Sequence, residues 1–473
     1  MTAFQPSVDY SANCLSDSLA PESHFLQTLF AEFRKKGIQY AVLRNYEMLP
    51  CGTDGSDLDI LFLPEYVTIV IATTIDSVAV ARGTILGACL IHQFSKLSVF
   101  GKSACFGWWG LQLDLFFEIK YGGTVDLLET SLIQNVPSSR RNVKILPSHV
   151  ASTLGVLKEL LNNNTAPTRY LDPARWLNPR EWDEINKWFA PIGEKGVSLL
   201  RSAIIETQTD SERKGISRRL RRHLLWRAFC RSPFRYIVKR LQVFFSKISR
   251  LLHPSGLFLA VLGTDGAGKS TVISAIEPVL SSATHGAFYV KHLRPGLLPP
   301  LARFRGVRSE QEGPVTNPHG STTSGIIGSV VRILYLLGDY ILGYWILLRP
   351  QIAKQPAVFV FDRYAYDMTL DPKRFRIGLP TKISGWLAKL APKPDIIFCL
   401  HAPPEVISSR KSELSRAEIE RQLQVLRQFA DNEPRAVLIS TDGTIDEVRD
   451  QVLETLFQFC RKRTERTFPG ARS

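Results

Sequence analysis

The nine residues GTDGAGKST, 263–271, follow an unbroken apolar run, Leu257-Phe258-Leu259-Ala260-Val261-Leu262, and lead into Val272-Ile273-Ser274-Ala275-Ile276. No other stretch of the chain restricts the fold so tightly. Gly263, four residues and then Gly268-Lys269-Ser270 satisfy G-x-x-x-x-G-K-[ST], a pattern that works only where a strand delivers the loop and a helix leaves it. Glycines let successive backbone N–H groups turn inward on phosphates, and the helix N-terminus adds its dipole. The residues therefore predict a phosphate cradle shaped by Gly263, Gly266 and Gly268. Lys269 would reach the β- and γ-phosphates of a nucleotide, Ser270 would offer its hydroxyl to Mg²⁺, and Thr271 would join them in binding the nucleotide.

A phosphate loop alone does not separate a hydrolase, a switch and a small-molecule kinase. The residues downstream narrow the choice. Short apolar runs at 257–262, 357–361, 395–400 and 436–439 alternate with helical stretches, which predicts an α/β unit with a parallel sheet flanked by helices. Asp362-Arg363-Tyr364 ends the second of these strands. A carboxylate for metal and a guanidinium for phosphate would then stand at the carboxyl edge of the sheet, where open α/β folds bind their ligands.

At 473 residues the chain is too long for one ordinary core. Residues 1–22 are polar and turn-rich and read as a flexible tail. From Ser23 a helical pattern (Phe25, Leu26, Leu29, Phe30, Phe33) runs to Gly37, and Tyr40–Leu43, Leu58–Phe62 and Leu111–Leu115 read as strands. These make 23–144 an α+β domain. Residues 145–212 return to helical spacing (Leu154, Leu157, Leu160, Leu161), interrupted by a turn at Leu171-Asp172-Pro173, and form a helical subdomain. A connector, 213–253, holds thirteen Lys or Arg and no acidic residue, interleaved with Trp226, Phe229, Phe234, Ile237, Leu241 and Phe244. It is either a solvated helical linker packed on its neighbours or a cationic amphipathic helix that meets an anionic membrane surface. Residues 254–473 complete the phosphate-loop domain.

Lys and Arg number 59 against 44 Asp and Glu, a net charge of +15 that favours phosphate-rich ligands or anionic surfaces. No motif for specific nucleic-acid recognition accompanies it. The seven cysteines form no C-x-x-C pair, and the first twenty residues show no secretory pattern, so a cytoplasmic chain is expected, peripheral to the inner face of a membrane if the connector binds lipid. The most apolar window, Gly325–Leu348, contains Arg332 and Asp339, which are expensive in lipid, and reads as a buried helix.

In Gly55-Ser56-Asp57-Leu58-Asp59-Ile60-Leu61 two carboxylates at i and i+2 leave the same face of a strand, and Asp114 would be a third on a neighbouring strand. Three such carboxylates suit Mg²⁺ ions that align a nucleoside triphosphate. Over roughly 38–120 this arrangement resembles the polymerase-β-like nucleotidyltransferase superfamily. That superfamily has a Gly-Ser pair about ten residues before its Asp pair; this chain has Arg44-Asn45, and Arg44 could bind phosphate instead.

From about Leu257 to Phe459 the chain resembles the thymidylate kinase family. GTDGAGKST is similar to that family's phosphate loop, Asp265 included; 334–364 is similar to the helix leading into its Asp-Arg-Tyr motif; and 393–411 is similar to the next strand and the turn into a lid. The resemblance implies that ATP and Mg²⁺ are the cofactors and that Lys269, Arg363 and a lid arginine (Arg410, Arg416 or Arg421) stabilise the transferring phosphoryl group. It implies that Asp265 faces the acceptor. Tyr340 stands where the family carries an arginine that grips the acceptor's phosphate, His401 replaces an acidic residue, and His292-Leu293-Arg294-Pro295-Gly296 departs from Arg-Glu-Pro-Gly. An acceptor without a phosphate of its own would not need that arginine. The two-part chain resembles thymidylate-kinase-like proteins of bacterial surface-polysaccharide loci. The expectation is phosphoryl transfer to a small hydroxylated or glycan-linked acceptor; the alternatives are a nucleoside-monophosphate kinase and a nucleotide-binding regulatory protein without turnover.

Overall fold

The structure, a computed structural model, describes residues 20–91, 93–103, 107–136, 141–207, 209–299, 325–372, 374–375, 378, 380–411 and 414–468. The expected tail at 1–22 lies outside these up to residue 19. The chain divides into two compact units. Residues up to 84 with 90–246 make the first, and 85–89 with 247–467 make the second.

The first unit begins with α1 (Ser23–Lys35), which buries the apolar face formed by Phe25, Leu26, Leu29, Phe30 and Phe33. Gly37 ends it: at φ 65° its N–H reaches back to Arg34 O at 3.0 Å, a left-handed turn that a side chain would strain. Five strands, β1 (Tyr40–Val42), β2 (Leu58–Phe62), β3 (Gly83–Ile91), β4 (Phe94–Ser103) and β5 (Gly107–Phe116), form a sheet of order β1-β2-β5-β4-β3, with α2 (Val67–Val80) between β2 and β3. β2 pairs with β5 in parallel and places Asp59 opposite Asp114. A short ladder, β6 (Lys120–Tyr121) with β7 (Val125–Asp126), leads to the helices α3 (Ser148–Asn163), α4 (Thr168–Arg175), α5 (Pro179–Trp188), α6 (Gly193–Ile205) and α7 (Asp210–Arg231). Capping boxes at Asn178 and Thr209 start α5 and α7.

These helices share one core. Leu154, Leu157, Ile185, Leu200, Ile216 and Leu220 all lie in it, so the front half of the basic segment is helix packed into the first unit. The turn expected at Leu171-Asp172-Pro173 is not a turn: the three residues lie inside α4. The chain breaks earlier, at left-handed Asn164 and at Pro167, the residue before α4. Pro173 forfeits one hydrogen bond in an eight-residue helix, and burial of Leu171 and Ala174 outweighs it.

After α8 (Pro233–Leu252) come β8 (Leu257–Leu262), α9 (Lys269–Ala283), β9 (Phe288–His292), α10 (Ile326–Gly343), α11 (Arg349–Lys354), β10 (Val358–Asp362), α12 (Asp367–Leu370), α13 (Thr381–Ala388), β11 (Ile396–His401), α14 (Pro404–Arg410), α15 (Arg416–Asn432), β12 (Ala436–Ser440) and α16 (Ile445–Thr467). The sheet has the order β12-β11-β8-β10-β9 and every pairing is parallel. This is the expected α/β architecture. All six residues of β8 are buried, which explains their unbroken apolar run.

The window at Gly325–Leu348 corrects the expectation of a buried helix. α10 buries one face, through Ile333, Leu336, Leu337 and Tyr340, and exposes the other: Ile327 is 82% and Val331 59% accessible. A largely apolar composition hid a helix with only one packed side. A π-turn at Tyr344–Leu348 then passes it to α11. Of the described cysteines, 89, 230, 399 and 460 are free thiols and Cys51 is disulfide-bonded.

Candidate phosphate site and acidic cluster

β8 ends against the phosphate loop. Gly263 has φ 156°, and a Cβ there would come within 2.8 Å of Leu400 O; Gly268, at φ 81°, is the left-handed residue from which α9 departs. Both positions need glycine, for space at the first and for backbone freedom at the second. Lys269 is the first residue of α9. Its side chain is buried, and Nζ donates to Gly263 O at 2.9 Å and Thr264 O at 2.7 Å. Burial, reinforced by Arg363, pushes its pKa down to about 8 despite Asp265, Asp367 and Asp362. Ser270 and Thr271 are exposed on the first turn of α9, at the helix end that favours anions.

β10 lies beside β8 and carries Asp362-Arg363 to the same edge. Arg363 has φ 71°, a left-handed conformation uncommon outside glycine, held by its N–H on Val261 O at 3.0 Å. Its buried guanidinium pairs with Asp265 and, at 3.4 Å, with Asp367 Oδ2. Asp265 also pairs with Arg374. Burial would raise the Asp265 carboxyl, but Arg363, Lys269 and Arg374 outweigh it and hold it below the ordinary value. Burial likewise acts against ionised Asp362, and there the His292 hydrogen bond and Lys269 outweigh it. Asp362 Oδ1 and Thr264 Oγ1 are buried with no hydrogen-bond partner among the described residues.

Arg410, the last residue of α14, donates to Thr441 O at 2.8 Å and places Nη1 3.9 Å from where a Cβ on Gly268 would be. It roofs the loop. Arg416 does not reach it: the side chain is exposed and paired with Glu405 and Glu420. Arg421 pairs with Glu418 and donates to Leu370 O. Asp339, fully buried, accepts from the N–H groups of Gly296 at 3.1 Å and Leu298 at 2.6 Å and so shapes the segment after β9. Tyr340 is buried beside the Tyr364 ring at 4.9 Å, and its hydroxyl donates to Leu293 O.

In the first unit Asp57, Asp59 and Asp114 are buried with carboxylate oxygens within 4.8 Å of one another. They do not stand alone. Arg44 donates to Asp59 through Nε and to Asp57 Oδ2 at 3.0 Å through Nη2, and Lys96 Nζ lies 3.1 Å from Asp114 Oδ2. Burial raises the Asp59 carboxyl more than Arg44 lowers it, and burial raises Asp114 to about 6 against the pull of Lys96. Lys158 is pushed down by burial, opposed by Asp59, and rests 4.3 Å over the Phe116 ring. The three carboxylates have the chemistry of a Mg²⁺ site. Cations of the same chain share these oxygens: Arg44 holds Asp59 Oδ2 and both oxygens of Asp57, and Lys96 lies on Asp114 Oδ2, while Asp59 Oδ1 is buried with no hydrogen-bond partner among the described residues.

Sequence reasoning missed Asp367, Arg374, Lys96 and Lys158. Lys158 left a trace, a lysine at i+4 from Leu154 on a face otherwise apolar, and Asp367 stands four residues after Arg363; Arg374 lies in a polar segment with no periodic signal.

No family model matches the chain, and no curated protein does. Among solved structures, a thymidylate kinase from Ehrlichia chaffeensis is 16% identical with a TM-score of 0.29, over 43% of this chain and 100% of that one. A thymidylate kinase from Candida albicans is 20% identical with a TM-score of 0.31, over 42% of this chain and 91% of that one. At such identities and scores the function has to be argued from the site's own residues.

Proposed function

We propose that the second unit transfers the γ-phosphoryl group of ATP to a small hydroxylated or glycan-linked acceptor. One observation carries this reading. Lys269 holds its ammonium buried at the mouth of the loop with the loop's own Gly263 and Thr264 carbonyls as partners, in the repulsive field of Arg363. A buried cation is costly unless a strong anion repays it, and a nucleotide's phosphates are such an anion.

The donor set fits the cofactor. Asp362 Oδ1 and Thr264 Oγ1 have unused hydrogen-bonding capacity, and the exposed Ser270 stands on the first turn of α9. Ser270 and Asp362 would hold Mg²⁺, which neutralises charge on the β- and γ-phosphates when bound. In the transfer, an acceptor oxygen bonds to the γ-phosphorus, the bond to the β–γ bridging oxygen breaks, ADP leaves, and the acceptor's hydroxyl proton passes to solvent. Lys269 and Arg363 stabilise charge on the moving group, while Asp265 and Asp367 fix the Arg363 guanidinium. Arg410 bounds the loop from the other side. Tyr340 supports an acceptor without a phosphate: the position after Asp339 presents a hydroxyl committed to Leu293 O and no cation.

A second reading, a nucleoside-monophosphate acceptor, draws support from Arg374, a further guanidinium on Asp265 that an acceptor phosphate could share. No step is assigned to the acidic cluster of the first unit. The test is ADP release by the full chain with Mg-ATP against sugars, glycans and thymidylate, with ATP binding measured separately by calorimetry. Turnover on an unphosphorylated hydroxyl acceptor, lost in Lys269→Ala, is expected. Turnover on thymidylate alone would select the second reading, and ATP binding without turnover on any acceptor would leave a regulatory protein.

A further inference from the structure

α8, 233–252, is built inside out. Phe234, Ile237, Leu241, Phe244, Phe245 and Ile248 recur at helical spacing and form one apolar face. On a helix of a soluble domain that face turns to the core. Here it faces water: Phe234 is 78% accessible, Phe245 63% and Phe244 57%, and the helix has no buried residue. The half-buried side is a mixed one, Tyr236, Lys239, Val243, Ser246 and Arg250, where Val243 packs on Gly123 so closely that a Cβ on the glycine would lie 2.7 Å from it. At the helix's end Arg349 donates to Leu251 O at 2.6 Å and stacks its guanidinium 5.2 Å from the exposed Trp345 ring.

Charge selects what covers this face. Arg235, Arg240 and Lys247 are exposed to either side of the stripe, and α8 contains no Asp or Glu. A second copy packed about a two-fold axis would set these cations against their own images. A nucleic acid would satisfy the cations but leave six large apolar side chains in water. An anionic bilayer satisfies both, since acyl chains take the apolar side chains and headgroups take the Lys and Arg that rim them. We propose that α8 lies in the surface of an anionic membrane, its apolar face buried at the boundary between headgroups and acyl chains.

Flotation of the full chain with vesicles of phosphatidylcholine, with and without phosphatidylserine, tests this. Binding is expected only to the anionic vesicles and should weaken as salt rises, because Lys and Arg near the surface act through a screened potential. Phe244→Asp/Phe245→Asp should lower partitioning by about tenfold or more by placing two carboxylates on the buried face. Arg235→Glu/Lys247→Glu should abolish the preference for anionic lipid. Both variants should keep the wild-type melting temperature, because neither face of these residues is packed. Failure of the wild type to float with anionic vesicles at low salt overturns the proposal. So does binding that Phe244→Asp/Phe245→Asp leaves unchanged, or a dimer in solution that this variant dissociates.

Discussion

The two units hold charge in opposite ways. In the first, three carboxylates are matched by cations of the same chain, Arg44 on Asp57 and Asp59 and Lys96 on Asp114. In the second, Arg363 and Arg374 are tied to Asp265, while the buried ammonium of Lys269 makes hydrogen bonds to backbone carbonyls. Carbonyl dipoles hold an ammonium more weakly than a carboxylate does. The charge of the first cluster is therefore largely matched within the fold, with Asp59 Oδ1 still without a partner, and the second is left to be completed by an anion. If that contrast is right, removing a cation should damage stability in the first unit and function in the second.

The largest effects come from breaking each side of it. Lys269→Met should cut phosphoryl transfer by about a thousandfold while leaving the unfolding midpoint unchanged or higher, because a desolvated charge leaves with the side chain. ADP release and urea unfolding read the two quantities on one preparation. Arg44→Met should do the reverse. It leaves Asp57 and Asp59 buried without their guanidinium, and because Arg44 is itself 39% exposed the loss is about 2–3 kcal/mol, below that of a fully buried pair broken on one side. Six of the eight tryptophans precede residue 246, so fluorescence-detected unfolding reports on that unit. Equal stability losses in both variants would sink the contrast.

Arg363→Lys sharpens it by a smaller amount. The ammonium keeps the charge but cannot span Asp265 and Asp367 with two nitrogens, so a fall in turnover of about 30-fold, ~2 kcal/mol, is expected with little change in ATP affinity. A fall in affinity with turnover intact would move Arg363 from the transferring group to ground-state binding.

The sequence made the second unit legible because its signals are local. A six-residue apolar strand, a loop pattern with fixed glycines and an Asp-Arg-Tyr at the end of another strand each announce their place, and β8, β10 and the loop lie where those signals put them. The carboxylates of the first unit were legible in the same way, as Asp59 and Asp114 fall opposite one another across β2 and β5. Their neutralisation was not. Lys96 comes from β4 and Lys158 from α3, so their meeting with Asp114 and Asp59 depends on tertiary packing that no spacing encodes. α8 shows a third case: its pattern was plain, but the sense in which the helix is mounted belongs to the fold alone.

Acid should touch the first cluster. Burial raises Asp114 to about 6 in the folded chain, above an ordinary aspartate, so between pH 4 and 6 the folded state holds a proton that the unfolded state has released. Stability from this group is greatest below that window and is lost as pH rises through it, by about 3 kcal/mol for a shift of this size. Asp114→Asn should flatten that part of the profile.

The other titration lies at the opposite end of the pH scale, in Lys269. Its folded value of about 8 is below that of an ordinary lysine, so in the window from 8 up to the ordinary value the unfolded chain holds a proton that the folded chain lacks. Folding without ligand is then penalised below pH 8 and relieved as pH rises through the window, a slope that Lys269→Met should remove. Nucleotide binding has the opposite sign. Phosphates favour the ammonium, so above pH 8 the loop must take up a proton to bind, and ATP affinity should fall by up to about tenfold per pH unit. Calorimetry in two buffers of different ionisation enthalpy separates proton uptake from binding. Uptake near one proton at pH 9, absent in Lys269→Met, identifies the group; no uptake in the wild type would mean that the ammonium is already charged there, and that the loop carries a cation the fold has compensated as fully as it has Arg44.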